Sequence, residues 1–328
     1  MAALGAGLYV GVPQIAGLDE TWGRLDDGDP WWLVAAALLE LGSYAGYVLL
    51  FRGVFVGPGS PVGWRESYQI TLAGVAATRL LAAGGAGGIA LTGWALARSG
   101  MERPALARRL TTFYVSLYAV LMLALVFVGA GLRGGLLPGP APFALTVVPA
   151  AFGGGVIVVA LATGLLPPDL GARARARLPR HRWLALLAGK AATGAAVVAS
   201  GVRGAIGLLR ERDPALLGAL AWWGFDIAVL WACFEAFGNP PPLAVVVMAY
   251  FTGMLANLLP LPGGLGGVEG GMIGAFLAFD VTGGLALVAV LTYRAFAFWL
   301  PTLPGAIAYL QLRRSVRLWT DAPPGASP

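Results

Sequence analysis

The chain has 328 residues, of which 58% are hydrophobic and 12% charged, with a formal net charge of +6. A soluble domain carries about 25% charged residues, so this composition excludes a soluble globular protein. Apolar runs of about 20 residues, the length that crosses a bilayer, predict an all-α polytopic membrane protein. The positive charge is typical of cytoplasmic loops in such proteins rather than of nucleic-acid binding.

We predict a single transmembrane domain over residues 1–320 and a disordered, Pro/Gly/Ser-rich tail over 321–328. The segment 1–18 lacks the basic start and the cleavage site of a signal peptide, so it is interpreted as a retained first helix. The predicted membrane segments, in chain order, are 1–18, 31–51, 67–82 with 88–97, 111–131, 143–166, 215–237, 243–259 with 268–279, and 282–312.

The segment 183–213 is less apolar than the predicted spans, because it holds one lysine and three arginines among its apolar residues. We interpret it as an amphipathic helix that lies at the membrane interface. The alternative is an ordinary span of marginal hydrophobicity.

Loop charges predict the orientation of the chain. Loop lysines and arginines concentrate on cytoplasmic sides. In this sequence most of them fall on one set of segments, which are the loops around 52–65, 98–110 and 167–182, the stretch 183–213 and the C-terminal end. Arg24 and Arg133 fall on the other set. This pattern predicts a multi-pass protein of the inner (cytoplasmic) membrane with both termini in the cytoplasm.

Two glycine-rich breaks interrupt short apolar segments. The segment 67–97 has basic loops on both sides, so it is predicted to enter and leave the membrane on the cytoplasmic side as a re-entrant hairpin, a form allowed where protein or a water-filled cavity covers it. A similar segment follows 179 residues later and is predicted to enter from outside. The break residues are Gly84, Gly85, Gly87 and Gly88 in the first hairpin, and Pro262, Gly263, Gly264, Gly266 and Gly267 in the second.

The flanking spans follow the same offset with opposite orientation. We therefore predict an inverted-topology repeat whose halves cover about 31–131 and 215–312. Such repeats place a substrate site near the middle of the membrane, where interrupted helices meet. The alternative is two unrelated glycine kinks that allow close helix packing.

Charged residues inside membrane segments are costly and are functional candidates by default. One interpretation is that arginines and helix N-termini at the breaks capture an anionic group such as a lipid phosphate. The alternative is that the charges pair with one another and hold the hairpins in place. Glu40 is interpreted as a hydrogen-bond acceptor that faces the hairpins. The candidate substrate-binding residues are Arg79, Asp226, Asn257, Glu269 and Arg294.

Signatures of soluble enzymes are missing from the sequence. It has no H-E-x-x-H, no C-x-x-C and no Walker loop. One histidine, His181, and one cysteine, Cys233, leave little room for a metal site or a catalytic triad. We therefore expect no catalytic residue, no metal and no cofactor.

The stretch NLLPLPGGLGGVEGGMIGAF (257–276) resembles the flippase-like integral membrane family named for the transmembrane domain of lysyl-phosphatidylglycerol synthase. The most specific part is P-x-P-G-G-x-G-x-x-E, from Pro260 to Glu269. WWGFD (222–226), the basic loop and Arg294 in LTYRAF also fit, and the resemblance covers about 1–318. The first repeat departs from the pattern, because Ala83 and Ala90 stand where Pro262 and Glu269 do in the second.

The resemblance implies a lipid-handling role in the membrane. The soluble aminoacyl-transferase domain that some relatives carry is absent from this sequence, so synthase activity is not expected. We expect a translocase that moves an anionic phospholipid or a lipid-linked precursor between leaflets. The alternatives are a transporter of a small soluble anion, and a non-transporting partner of a lipid- or glycan-modifying enzyme. Expected partners are membrane lipids, with a homo-oligomer or such an enzyme as further partners.

Overall fold

The computed structural model describes residues 28–80, 86–167, 173, 182–258 and 264–321. Within these residues the chain forms helices and no strand. The predicted first helix and the predicted tail beyond Asp321 lie outside the described residues. In chain order the helices are α1 (Pro30–Phe55), α2 (Trp64–Leu80), α3 (Ala86–Arg98), α4 (Arg103–Arg133), α5 (Phe143–Gly164), α6 (Arg182–Arg210), α7 (Ala215–Phe237), α8 (Leu243–Met254), α9 (Gly267–Ala278), α10 (Gly283–Arg294) and α11 (Leu300–Asp321).

Several of these helices have the length and apolar composition of membrane spans. Within the described part of the chain there are six such segments, which are Pro30–Phe55, Arg103–Arg133, Phe143–Gly164, Gly189–Arg210, Ala215–Phe237 and Gly283–Trp319. The prediction of an all-α, multi-pass integral membrane protein is therefore confirmed.

Helices α1 and α7 form an antiparallel pair in the core of the protein. Near one end the backbone N–H of Asp29 donates to the carbonyl of Ala236 (2.9 Å). Further along, the Ser43 hydroxyl donates to the carbonyl of Trp222 (2.9 Å). The two contacts fix the register of the pair, because each turn of α1 then faces a defined turn of α7.

The close approach of α1 and α7 depends on small residues. A Cβ added to Gly218 would lie 2.4 Å from the carbonyl oxygen of Gly46 and 2.6 Å from the backbone nitrogen of Leu50. Small residues let membrane helices approach until their backbones touch. Any side chain at Gly218 would have to push the two helices apart.

We expect Gly218→Ala to lower the thermal unfolding midpoint in detergent, at a cost of about 1–3 kcal/mol, the range for overpacking a core. The matched control is Gly224→Ala on the same helix, because a Cβ there meets no heavy atom within 4 Å. Alanine has the higher helix propensity, so the control should be neutral or slightly stabilising. Equal losses for the two variants would contradict the close packing of α1 and α7.

Two pairs of shorter helices pack side by side around glycines. In the antiparallel pair α2 and α3, a Cβ on Gly74 would lie 3.3 Å from the Thr92 hydroxyl oxygen. In the antiparallel pair α8 and α9, a Cβ on Gly271 would lie 3.1 Å from the Cα of Gly253. Both predicted hairpins are therefore antiparallel helical pairs held at short range.

Three predicted break glycines are not breaks, which corrects the sequence interpretation. Gly87 and Gly88 lie in the first turn of α3 and are buried. Gly88 serves close packing, because a Cβ there would lie 2.3 Å from the Thr78 hydroxyl oxygen. Gly267 is the first residue of α9. The predicted break residues that lie outside the described residues are Gly84, Gly85, Pro262 and Gly263.

Two helices are longer than predicted. Helix α4 begins at Arg103, so most of the predicted loop 98–110 is helical. Helix α10 continues through a π-helical turn, Ala295–Trp299, into α11, which ends at Asp321 rather than at 312. Hydropathy marks where a helix is apolar. A helix of good helix formers continues past that point, because Ala, Leu and Arg favour the helical state.

Helix α6 packs against α4 and α5 near its C-terminal end. The Thr112 hydroxyl donates to the carbonyl of Gly201 (3.3 Å), and Arg203 donates to the carbonyls of Gly164 and Leu166 (both 3.0 Å). The end of α5 and the C-terminal part of α6 thus lie side by side. Length and composition would let Gly189–Arg210 cross a membrane, so the interfacial placement of 183–213 stays a prediction.

Candidate functional site

Arg294 and Glu269 form a largely buried ion pair between α10 and α9. The Arg294 Nε lies 2.6 Å from Glu269 Oε1, and 9% and 14% of the two side chains are exposed. The other carboxylate oxygen of Glu269 accepts from the backbone N–H of Gly266 (2.8 Å), at the start of α9. Glu269 therefore caps its helix and neutralises an arginine at the same time.

Arg79, near the end of α2, ties three helices together. Its Nη2 donates to the Tyr44 hydroxyl on α1 (2.7 Å), and its Nη1 donates to the carbonyl of Phe298 in the π-helical turn (3.1 Å). Both acceptors are uncharged. The fork of guanidinium donors suits two acceptors on different elements, but these contacts leave the positive charge of Arg79 without a carboxylate in direct contact.

Phe298 connects the two arginines. Its ring centroid lies 4.6 Å from the guanidinium carbon of Arg294 and 5.6 Å from that of Arg79. The face of an aromatic ring attracts cations at such distances. The Phe298 carbonyl also accepts from the Thr302 hydroxyl (2.5 Å). Helical π turns occur frequently at functional sites, and this one presents a ring to both arginines and a carbonyl to Arg79.

Asp226 lies at the centre of α7 and is 7% exposed. Its Oδ2 accepts hydrogen bonds from two buried tyrosines, Tyr250 on α8 and Tyr293 on α10 at 3.1 Å. Its Oδ1 is buried and has no hydrogen-bond partner among the described residues. Asp226 also interacts electrostatically with Arg79 and Arg294.

Glu40, on α1, belongs to the same group of charges. It is 4% exposed, and in the part of the chain that the structure describes its Oε2 has no hydrogen-bond partner. It interacts electrostatically with Asp226 and Arg79. We call Glu40, Arg79, Asp226, Glu269 and Arg294 the charged cluster.

Asn257 lies beside the second break. It is exposed, and its amide nitrogen donates to the Met254 sulfur (3.2 Å). Its oxygen lies against Gly264, where a Cβ would be only 2.4 Å away. Gly264 and Gly266 both have positive φ angles, 67° and 78°, which glycine adopts without steric cost. Within the described part of the chain, Asn257 therefore contacts Met254 of α8 and the turn before α9, and not the arginines.

The sequence interpretation missed the aromatic residues that connect the charges. Tyr44, Tyr250 and Tyr293 each contact a charged side chain, and Phe298 contacts two. Tyr44 follows Glu40 by one helical turn and Tyr293 precedes Arg294. A buried tyrosine needs a partner for its hydroxyl, so these positions were a usable signal. In the described residues, no group of three or more His, Cys, Asp or Glu side chains could hold a metal ion.

Comparison with known proteins identifies the family. Residues 2–305 match the family described as the lysylphosphatidylglycerol synthase TM region. A UPF0104 membrane protein of Methanothermobacter thermautotrophicus is 36% identical over 91 residues, which cover 27% of this chain and 26% of that relative. A second match, to a UPF0104 membrane protein of the same organism, is 35% identical over 115 residues and covers 33% and 34% of the two chains.

A UPF0104 membrane protein of Pyrococcus horikoshii is 29% identical over 106 residues, which cover 32% of each chain. The chain thus matches about a quarter to a third of the length of these curated relatives. The match to the family covers nearly the whole chain and agrees with the resemblance found around Pro260–Glu269. This protein belongs to the lysylphosphatidylglycerol synthase TM region family.

Proposed function

We propose that this protein is a lipid translocase that moves an anionic phospholipid, or an anionic lipid-linked precursor, between membrane leaflets. The observation that carries the proposal is the pair of arginines joined by Phe298, one held by a carboxylate and one by uncharged acceptors. A phosphate could displace the Tyr44 and Phe298 contacts of Arg79 without breaking an ion pair. The phosphate would then compete with Glu269 for Arg294.

An inverted-topology repeat is part of the proposal, and equivalent contacts support it. Gly74 and Thr92 meet in the first hairpin, and Gly253 and Gly271 meet in the second. Gly253 lies 179 residues after Gly74, and Gly271 lies 179 residues after Thr92. Ser43 and Trp222, in hydrogen-bond contact between α1 and α7, are also 179 residues apart. A pseudo-twofold axis between the halves would bring such equivalent positions together. The two hairpins would then be re-entrant and meet near the middle of the membrane.

We propose that the protein lies in the inner (cytoplasmic) membrane, with both termini in the cytoplasm. Arginine contacts at one end of the helices support this orientation. Arg52 donates to Ser67 (3.1 Å) and Arg109 to the carbonyl of Phe55 (2.6 Å), which brings the ends of α1, α2 and α4 together as one basic face. Basic faces of membrane proteins are cytoplasmic.

We further propose that the protein is a transporter rather than an enzyme, with no resident cofactor, and that its partners are anionic membrane lipids. A homo-oligomer or an associated lipid-modifying enzyme is part of the same proposal. The acyl chains would stay in the bilayer while the arginines shield the headgroup phosphate, because a bare charge in hydrocarbon is costly.

The test is a leaflet-exchange assay in liposomes that carry headgroup-labelled phosphatidylglycerol. Wild-type protein is expected to exchange lipid faster than protein-free liposomes do. The Arg79→Ala/Arg294→Ala variant is expected to have a protein-dependent exchange rate at least about tenfold lower than wild-type protein, equivalent to 1.4 kcal/mol. The matched control, Arg98→Ala/Arg108→Ala, removes the same charge from two exposed arginines. It should keep the wild-type rate. Thermal unfolding identifies any variant that is not folded.

Arg79→Lys provides a second variant that keeps the charge but loses the fork of donors, so the test remains decisive if the double variant does not fold. Equal loss in the cluster and control variants would contradict a specific phosphate site. Absence of exchange across several anionic lipids would favour the soluble-anion transporter. Full function in a folded, cluster-neutralised variant would favour the non-transporting partner protein.

A further inference from the structure

Two buried carboxyl groups face each other across the α1–α7 pair. The register set by Asp29 with Ala236 and by Ser43 with Trp222 puts Glu40 opposite Asp226, because Glu40 is one turn before Ser43 and Asp226 one turn after Trp222. The two side chains interact electrostatically. They are 4% and 7% exposed, so neither charge is solvated by bulk water.

The hydrogen bonds around this pair are unevenly distributed. Tyr250 and Tyr293 both donate to Oδ2 of Asp226, which favours its ionised form. Asp226 Oδ1 and Glu40 Oε2 are buried and without a partner. Two ionised carboxylates in contact would repel each other, whereas a carboxyl pair that shares one proton forms a strong hydrogen bond. A single proton between them would satisfy both unpartnered oxygens.

The total charge of the charged cluster also indicates that the Glu40–Asp226 pair holds one proton. The charged cluster holds two arginines and three carboxyl groups. Arginine stays protonated in proteins, so three ionised carboxylates would leave a buried excess of one negative charge. One proton on the Glu40–Asp226 pair makes the cluster neutral. Among the described residues, the titratable and charged groups that interact with this pair are Tyr44 on α1, Arg79 on α2, Cys233 on α7, Tyr250 on α8, and Tyr293 and Arg294 on α10. Glu269 on α9 is paired with Arg294.

We infer that Glu40 and Asp226 form a proton-binding site, in which Glu40 carries the proton and donates a hydrogen bond to the ionised Asp226. A proton needs only the two unpartnered oxygens, one that carries it and one that accepts the hydrogen bond. Hydrated or coordinated cations require several oxygen ligands around one point.

The site also provides a means of coupling, and this step rests on the proposed translocation of an anionic lipid. A phosphate monoanion bound at the arginines adds one negative charge to a neutral cluster. A second proton taken up by the Glu40–Asp226 pair, onto the ionised carboxylate of Asp226, restores neutrality. Lipid binding would therefore take up a proton from the aqueous phase, and a proton gradient would drive lipid movement.

Infrared spectroscopy of the purified protein at neutral pH tests the site directly. Wild-type protein is expected to show the carbonyl stretch of a protonated carboxylic acid, shifted in D₂O, and Glu40→Gln is expected to lose it. Glutamine keeps the shape and can donate its N–H to Asp226. The matched control is Glu235→Gln, which should keep the band. Glu235 lies near the end of α7, the helix that carries Asp226, and outside the charged cluster. If Glu40→Gln does not fold, the pH dependence of the band in wild-type protein tests the site without a variant.

The coupling is tested by phosphatidylglycerol exchange in liposomes under an imposed proton gradient. The gradient should raise exchange in wild-type protein and in Glu235→Gln, and this response should be lost in Glu40→Gln. A band that persists in Glu40→Gln, or exchange that responds to a sodium gradient and not to a proton gradient, overturns the inference. If the band is lost in Glu40→Gln while wild-type protein exchanges no lipid, the proton site stands and the proposed function fails.

Discussion

Arg294→Gln is expected to abolish phosphatidylglycerol-dependent stabilisation and to cost about 3–5 kcal/mol of stability, the usual cost of removing one partner of a buried ion pair. The reason is that Glu269 would keep a negative charge at 14% side-chain exposure, with the Gly266 N–H as its remaining donor among the described residues. Thermal unfolding in detergent, with and without added phosphatidylglycerol, measures both effects. The exposed Arg98→Gln serves as the control.

Glu269→Gln separates a lipid site from a purely structural pair. Glutamine can still accept from Gly266, so the start of α9 is kept, and Arg294 is no longer neutralised by a carboxylate. Anionic lipid should then bind more tightly and raise the unfolding midpoint further than in wild-type protein, since a ligand stabilises the folded state according to its affinity. A lipid effect that survives in Arg294→Gln, or that disappears in Glu269→Gln, would show that the pair only holds α9 and α10 together.

Asp226→Ala is expected to destabilise the protein by about 2–6 kcal/mol, because two buried hydroxyl groups lose their acceptor at about 1–3 kcal/mol each. Tyr250 and Tyr293 both donate to Asp226, and both are almost fully buried. Asp226→Asn keeps a carbonyl acceptor and should cost less. Thermal or denaturant unfolding in detergent gives the differences.

A double-mutant cycle tests whether the hydroxyl groups cause this loss. In a Tyr250→Phe/Tyr293→Phe background no hydroxyl is left unpaired, so Asp226→Ala should cost clearly less than it does in the wild-type background. Neighbouring groups in one network normally show coupling of about 0.5–3 kcal/mol. Additive losses would mean that Asp226 does not anchor the two tyrosines, and the arrangement of the charged cluster would need another explanation.

The outline of the fold was predictable from the sequence because it depends on local composition. Apolar runs identify helices that can cross a membrane, whatever their neighbours are. Boundaries were less accurate where polar residues continue a helix. Arg103 begins α4, although its charge indicated a loop, and α11 continues to Asp321. Gly87 and Gly88 had the composition of a break but are buried in the first turn of a helix, where Gly88 serves close packing.

The candidate site was predictable as a set of charges but not as an arrangement. Arg79, Asp226, Glu269 and Arg294 stand out because charge is rare in apolar segments. Their contacts join groups up to 219 residues apart in the chain, as with Arg79 and the backbone carbonyl of Phe298. Tyr44 and Phe298 are ordinary residues of membrane helices, so composition alone does not mark them.

By itself, the sequence determined that the protein is a helical membrane protein, which segments are apolar and which charges lie within them, since these properties belong to single segments. Only the tertiary structure decided which charges meet. It paired Glu269 with Arg294 and placed Glu40 opposite Asp226. The physical reason is that helix register and crossing are set by contacts between distant residues, such as Gly46 with Gly218, and no periodicity within one helix contains them.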